Sequence, residues 1–241
     1  MVRSGRILVG ALAVLVAAGC GSSGGGSGKA SKPPSKDASL AAAAAINLKA
    51  ADMPGYKAEP ADDSSDTSTD KEEKQLGVCV GIADMSDAND VVDESSDDFS
   101  KGEEPNTLTV SSSVTVAKSA SQAKADLKAF QSDKATDCMK TFVNDVFKAQ
   151  VGESAGVTFG DVSVSALRPS ASGTDGSFGY LVNASVSAQG VSFPFSMSIE
   201  GALKNHTELT MMTFSIGTPL SVSERDALWS KLIDRLKASA V

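Results

Sequence analysis

Three cysteines have the most distinctive chemistry in this 241-residue chain. The first, Cys20, ends an apolar run that starts at Ile7 and follows Arg3 and Arg6. A basic start, a short apolar stretch and small residues before a cleavage point are typical of a secretory leader. The run is shorter than the roughly 20 apolar residues that a membrane-spanning helix needs. The pattern therefore predicts an exported protein that is cleaved just before Cys20.

The residues around Cys20 also predict a lipid anchor. The segment from Ala17 to Cys20 resembles the bacterial lipobox, with Ala17 in place of the usual Leu, and in that motif the cysteine is acylated. The Gly/Ser-rich residues that follow are typical of a flexible tether. We therefore predict a signal peptide over 1–19, a lipid-anchored linker over 20–37 and one domain over 38–241. The expected location is the extracytoplasmic face of the cell membrane, with the bilayer as a partner through acylated (for example palmitoylated) Cys20.

If Cys20 carries lipid, Cys79 and Cys138 remain as a candidate disulfide pair. An oxidising compartment favours such a bridge. Closing a loop of this length stabilises a fold by roughly 4 kcal/mol. The alternative is that the two cysteines are unrelated buried thiols.

Other reactive residue types give little support for catalysis. The single histidine, His206, falls in a predicted mobile hairpin turn, where a catalytic base would lack a rigid orienting partner. The chain has no Gly-x-Ser-x-Gly elbow and no nucleotide-binding glycine pattern. One histidine without a cysteine cluster also argues against a zinc site. We predict a non-enzymatic protein with no cofactor.

Acidic residues raise the question of calcium. A polar run covers 61–74 and is expected to be a solvated loop. A second acidic cluster comprises Asp84, Asp87, Asp90, Asp93, Glu94, Asp97 and Asp98. The spacing after Asp87 departs from the EF-hand pattern at its fifth position, and no glycine follows. We therefore expect a solvated acidic surface and no metal site.

The net charge restricts the partners. The formal net charge is −8, and removal of Arg3 and Arg6 with the leader would make it −10. Such a surface disfavours nucleic acid as a partner.

The hydropathy pattern predicts a sheet interrupted by helices. Apolar residues alternate in 107–116, 178–188, 191–199 and 208–216, and a further strand is expected near 157–167. Gln189-Gly190 predicts a tight hairpin, and Pro194 predicts an edge or bulge position. The sequence thus predicts an antiparallel sheet of five or more strands.

Three segments have helical spacing. Ser119 and Gln122 predict a capping box, Cys138 lies on the apolar stripe of a second helix, and a final helix near 223–236 carries Trp229. The predicted class is α+β, with the sheet packed against helices on one side and one disulfide.

Short motifs resemble a known family. The segment from Asp52 to Tyr56 resembles the Asp-Leu-Pro-Gly-aromatic segment near the start of many actinobacterial exported lipoproteins. The order of Cys79, a strand, a helix and Cys138 is similar to the extracytoplasmic sensor domains of actinobacterial Ser/Thr kinases. The resemblance implies an α+β fold enclosing a ligand-binding cleft. The chain lacks the second disulfide pair of those domains and any kinase segment, so signalling is not implied.

Two functions follow as hypotheses. The first is a sensor-like module that binds a small molecule or lipid without catalysis, and a deep apolar pocket between sheet and helices would favour it. The second is a structural protein that docks another cell-envelope protein, and an exposed apolar patch would favour that. The ligand-binding residues are not identifiable from the sequence.

Overall fold

The computed structural model describes residues 33–61, 70–82, 90–153, 157–188 and 190–241. Five helices occur in these ranges: α1 (Lys36–Ile46), α2 (Asp70–Val80), α3 (Ala120–Phe130), α4 (Ala135–Glu153) and α5 (Val222–Ser239). The strands are β1 (Lys57–Glu59), β2 (Asp90–Ser95), β3 (Asp98–Glu103), β4 (Asn106–Ala117), β5 (Val157–Phe159), β6 (Ser163–Leu167), β7 (Gly176–Ala188), β8 (Val191–Lys204) and β9 (Thr207–Ile216). A short 3-10 helix covers Ala50–Asp52.

The nine strands of the described ranges form one antiparallel sheet, which confirms the predicted class. Its order is β1-β3-β4-β9-β8-β7-β5, with β2 also paired to β4 and β6 also paired to β7. The long alternating segments of the sequence form β4, β7, β8 and β9 at the centre. The region near 157–167 forms two short strands, β5 and β6, both paired to β7.

Helices cover both faces of the sheet, so the prediction of helices on one side was wrong. On one face, α2, α3 and α4 pack against residues such as Tyr180 and Ile199. On the other face, α1 and α5 pack against residues such as Val114 and Met211. The alternation of side chains along a strand explains this arrangement, because the central strands place apolar or small residues on both faces.

A disulfide joins Cys79 in α2 to Cys138 in α4, as predicted. The Cα atoms of the two cysteines are 5.7 Å apart. The helix α2 is largely polar in sequence, and Leu76 and Val80 are its buried apolar residues. The disulfide therefore fixes a helix that has little apolar surface of its own to bury.

Local differences from the predictions have physical causes. The polar run expected to be a loop extends into α2, which begins at Asp70. The helix α1 begins at Lys36 after the N-cap Ser35, two residues before the predicted start of the domain. Ser119 caps α3 as predicted, but the Gln122 side chain donates to Asp126 Oδ1 instead of completing a capping box.

Pro194 lies in the interior strand β8, but at its position only one neighbouring strand, β7, is paired with β8. The pairing of β8 with β9 begins at Phe195, and the Gly217 amide donates to the Pro194 carbonyl at 2.8 Å. Pro194 has no amide hydrogen to donate in return. The edge-like environment predicted for it exists because β9 has already ended at Ile216.

Candidate functional site

The residues that the sequence analysis considered for their chemistry lie in different parts of the chain and of the fold. Cys20, the signal peptide and most of the predicted linker lie outside the described residues. His206 does lie in the turn between β8 and β9, as predicted. It is buried, however, and its Nδ1 donates to the Ala117 carbonyl at 2.9 Å, so the expected mobile position was wrong. This hydrogen bond gives His206 a structural role in the turn.

The acidic segment around Asp90 is built into the sheet. Asp84 and Asp87 lie outside the described residues, whereas Asp90, Asp93 and Glu94 belong to β2. Asp97 lies between β2 and β3, and Asp98 begins β3. Within the described ranges, no three His, Cys, Asp or Glu side chains are arranged to hold a metal ion. No described helix is long and apolar enough to cross a membrane.

A cleft of about 380 Å³ lies between α5 and the segment that connects β6 to β7. One wall is formed by α5, and the other is formed by residues 167–172. Glu200, from the central strand β8, lines the cleft between these walls. The lining residues are Leu167, Arg168, Pro169, Ser170, Ser172, Glu200, Arg225, Asp226, Trp229, Ser230, Ile233, Asp234 and Lys237.

Glu200 is the most unusual side chain of the cleft. It is only 2% exposed, yet its Oε2 atom has no hydrogen-bond partner among the described residues. Its Oε1 atom lies 3.4 Å from Arg225 Nε. Burial raises the pKa of Glu200 to about 7, against the lowering effect of Arg225 and with a further increase from Asp226. A buried carboxylate with one unpartnered oxygen is costly unless a donor satisfies it.

Hydrogen bonds hold the walls of the cleft in place. The Trp229 indole donates from Nε1 to the Ser170 carbonyl at 2.9 Å, which connects α5 to the opposite wall. The Ser177 hydroxyl donates to the Pro169 carbonyl at 2.8 Å. The cleft is therefore formed before any ligand enters, as is usual for small-molecule sites.

Gly179 allows the outer wall to lie close to the sheet. It stands between Leu167 on β6 and Glu200 on β8 in the strand register. A Cβ atom at this position would lie 3.0 Å from Leu167 Cβ and 3.1 Å from Pro169 Cδ. A larger residue would push this wall outward, so the absence of a side chain at Gly179 shapes the cleft.

The cleft carries balanced charges. The acids are Glu200, Asp226 and Asp234, and the bases are Arg168, Arg225 and Lys237. Arg225 Nη2 lies 3.0 Å from Asp226 Oδ1, and Lys237 Nζ lies 2.7 Å from Asp234 Oδ1. Arg168 makes no hydrogen bond or ion pair with any residue that the structure describes. The cleft is thus polar and mixed in charge. It is not the deep apolar pocket that was expected for a lipid.

A second group of acids lies on the opposite face of the sheet, beneath α3. Asp93, Thr115 and Glu208 face each other across β2, β4 and β9, and the Thr115 hydroxyl donates to Asp93 Oδ1 at 2.9 Å. Burial raises the pKa of Glu208 well above its usual range, and the charges of Asp126, Asp90 and Asp93 raise it further. Burial also raises the pKa of Asp126 to about 6, although a hydrogen bond from Gln122 lowers it.

Sequence reasoning missed the cleft residues for an identifiable reason. Glu200 alternates with Met197 and Ile199 along β8, and this pattern normally places the polar residue toward solvent. The helix α5 covers that face and buries it. The one available signal was that Glu200 is the only acidic residue in the 14-residue strand Val191–Lys204.

No protein-family model and no curated protein matches the chain. Among solved structures, the chain is similar to the extracellular domain of PknH from Mycobacterium tuberculosis, with 12% sequence identity and a TM-score of 0.45. The match covers 86% of this chain and 98% of that domain.

Proposed function

We propose that the chain is a membrane-anchored, extracytoplasmic lipoprotein whose domain binds a small polar ligand without catalysis. The observation that carries the proposal is Glu200, a buried carboxylate that lines a preformed cleft and whose Oε2 atom has no hydrogen-bond partner among the described residues. A ligand that donates a hydrogen bond to this carboxylate would lower the cost of burying it. The anchoring part of the proposal depends on the sequence around Cys20.

The alternative of a docking protein has less support. The large apolar residues exposed in the described ranges are Val78, Val191 and Val222, which belong to α2, β8 and α5 respectively. Single exposed apolar residues on different elements are ordinary for a protein surface. A cleft with a buried, unsatisfied carboxylate points to a ligand more directly.

The cleft can be tested by blocking it. Ser230 is exposed on α5 and lines the cleft, so Ser230→Trp should fill it. Ala227→Trp is a matched control, because Ala227 is also exposed on α5 but does not line the cleft. Native mass spectrometry of each protein purified from its own host should find a small-molecule adduct on the wild type and on Ala227→Trp, and none on Ser230→Trp.

The opposite results would reject the proposed function. An adduct that survives in Ser230→Trp would place the ligand elsewhere. If the wild type carries no adduct and no small polar compound raises its melting temperature, the cleft is not a binding site.

The anchor can be tested separately. Cys20→Ser should move the protein from the membrane fraction to the soluble extracytoplasmic fraction, because the acylated sulfur is lost. Retention of the variant in the membrane fraction would reject lipid anchoring while leaving the cleft proposal intact.

A further inference from the structure

We propose that the helix α3 is a pH-sensitive latch, whose first two turns (120–126) detach from the sheet as the pH rises from acidic to neutral while its last turn stays in place. This inference is independent of the proposed ligand site, because α5 and the cleft lie on the opposite face of the sheet. Three features carry it: acids on both sides of the contact between α3 and the sheet, buried oxygens there without hydrogen-bond partners, and an anchored C-terminal end of the helix.

Two acidic side chains meet where α3 covers the sheet. Asp126 is 1% exposed within α3, and its Oδ2 atom has no hydrogen-bond partner among the described residues. Glu208 on β9 has a buried Oε1 atom that also lacks one in this part of the chain. The two acids are neighbours, because Leu127, next to Asp126, lines the same small cavity as Glu208. Buried carboxyl groups without donors favour the protonated, uncharged form.

The surroundings of Asp126 and Glu208 add negative charge. The charged and titratable side chains on the neighbouring elements are Lys124 and Lys128 on α3, Asp90 and Asp93 on β2, Lys118 after β4, Asp175 before β7, Lys204 at the end of β8 and His206 in the turn that follows.

The cations in this set have other positions or contacts. Lys124 Nζ lies 3.3 Å from Asp175 Oδ1, and Lys204 Nζ donates to the Gly173 carbonyl at 3.0 Å. Lys118 and Lys128 are exposed. Within the described ranges, no cation forms an ion pair with either of the two acids beneath α3. Ionisation of these acids is therefore not offset by a paired charge.

The last turn of α3 is anchored on β7. The ring of Phe130 stacks on that of Phe178, with the ring centroids 5.0 Å apart. The Tyr180 hydroxyl donates to the Phe130 carbonyl, and Gln131 Nε2 donates to the Ser177 carbonyl at 2.9 Å. These contacts involve no ionisable carboxyl group, so we expect them to persist when the acids lose their protons.

The first two turns of α3 have less to hold them. Their buried residues are Ala123 and Asp126, so a single methyl group is the apolar side chain that they bury. A helix of 11 residues is marginal in water without packing, so turns that leave the sheet also lose their helical hydrogen bonds. One of these bonds joins the Ala123 amide to the Ser119 carbonyl. Opening of the latch therefore exposes these amides to exchange with solvent.

The direction of the response follows from proton binding. Burial raises the pKa of Asp126 from 3.8 to about 6, although the Gln122 hydrogen bond lowers it. The closed helix keeps this proton between the two pH values, whereas a carboxyl exposed by opening loses it. Closing is therefore favoured in acid, and this advantage is lost as the pH rises through about 6. Two pKa units correspond to a change of roughly 100-fold in the closing equilibrium.

Glu208 acts in the same direction. Burial raises its pKa well above its usual range, and the charges of Asp126, Asp90 and Asp93 raise it further. Its ionisation therefore extends the loss of closing toward higher pH.

Hydrogen exchange of the protein purified from its own host, measured from pH 4 to pH 8, tests the latch. Each rate is divided by that of an unstructured peptide at the same pH, because exchange of free amides itself becomes faster as the pH rises. We expect this protection to fall roughly 100-fold over amides 123–127. Amides 230–236 of α5 are the internal reference and should keep their protection.

Variants assign the response to the two acids. Asp126→Asn should keep the protection of 123–127 near its pH 4 value up to pH 8, and Glu208→Gln should make the fall smaller. Asp133→Asn is the matched control, because Asp133 is exposed just after α3, and it should retain the pH dependence of the wild type. The wild-type profile needs no variant, so the test stands even if Asp126→Asn does not fold.

Three outcomes would overturn the inference. Protection of 123–127 that does not change with pH in the wild type would mean that α3 is not a latch. If 123–127 and 230–236 lose protection together, the pH acts on the whole domain. A fall that persists unchanged in Asp126→Asn would assign the response to another group.

Discussion

Replacing Asp126 with asparagine should stabilise the domain at neutral pH and have little effect at pH 4. Asp126 is 1% exposed within α3, and its Oδ2 atom has no hydrogen-bond partner among the described residues. Its Oδ1 atom accepts from Gln122 Nε2 at 3.0 Å, and an asparagine oxygen can accept the same bond. Burial raises the pKa of Asp126 from 3.8 to about 6, although the Gln122 hydrogen bond lowers it.

The sign of the pH dependence follows from proton binding. Between pH 3.8 and about 6, the folded protein keeps the Asp126 proton while the unfolded chain has lost it. The folded state then binds more protons, so the free energy of unfolding falls as pH rises. The loss is complete above pH 6 and amounts to about 3 kcal/mol. Asparagine does not ionise and avoids this loss.

The assay is urea unfolding at several pH values. The fluorescence of Trp229, the only tryptophan in the chain, and the far-ultraviolet circular dichroism both report unfolding. We expect the difference in unfolding free energy between Asp126→Asn and the wild type to be near zero at pH 4. It should approach about 3 kcal/mol in favour of the variant at pH 7.5.

A surface control makes the result decisive. Asp133 is exposed just after α3, and Asp133→Asn should change the stability little at any pH. If Asp126→Asn gains nothing at pH 7.5, or gains equally at pH 4, the ionisation of a buried Asp126 does not limit stability.

Three further predictions concern the contacts that hold the fold and the cleft. The double variant Cys79→Ser, Cys138→Ser should lose roughly 4 kcal/mol of unfolding free energy because it opens a 59-residue loop; a loss in urea unfolding below about 1 kcal/mol would contradict this. Asp52→Asn should lose roughly 2 kcal/mol at pH 7 and little near pH 2. Partial burial raises the pKa of Asp52, but hydrogen bonds, the strongest of them from Arg235, lower it to about 2. Equal losses at both pH values in urea unfolding would reject this account. Trp229→Phe keeps a six-membered aromatic ring but removes the indole bond across the cleft, so hydrogen exchange over 168–172 should become faster; unchanged exchange would mean that this bond does not hold the wall.

The elements that the sequence predicted correctly were those whose apolar residues repeat with a regular spacing. The alternation in β4, β7 and β9 and the stripe around Cys138 in α4 were identified correctly, because each pattern repeats over ten residues or more. The helix α2 was missed, since its first turn is charged and its apolar residues are few. A short amphipathic segment depends on its partners, here the disulfide and α4.

The candidate site depended on contacts between distant segments. Asp52 and Arg235 are joined by two hydrogen bonds, of 2.7 and 2.8 Å, although 183 residues separate them. Glu200 is buried only because α5, more than 20 residues later, covers its face of the sheet. No local sequence pattern shows which distant segment will pack over a residue, because the free energy of burial depends on the surface of that partner segment.

By itself, the sequence determined the fold class, made Cys79 and Cys138 a candidate disulfide pair and predicted a lipid anchor at Cys20. Local periodicity and composition carry that information, since strands and helices repeat with fixed spacing and a leader has its own pattern. Only the tertiary structure decided that helices cover both faces of the sheet, and that Glu200 is buried beside a cleft with Arg168. The environment of a polar side chain is set by which elements pack over it, and that packing is a property of the whole chain.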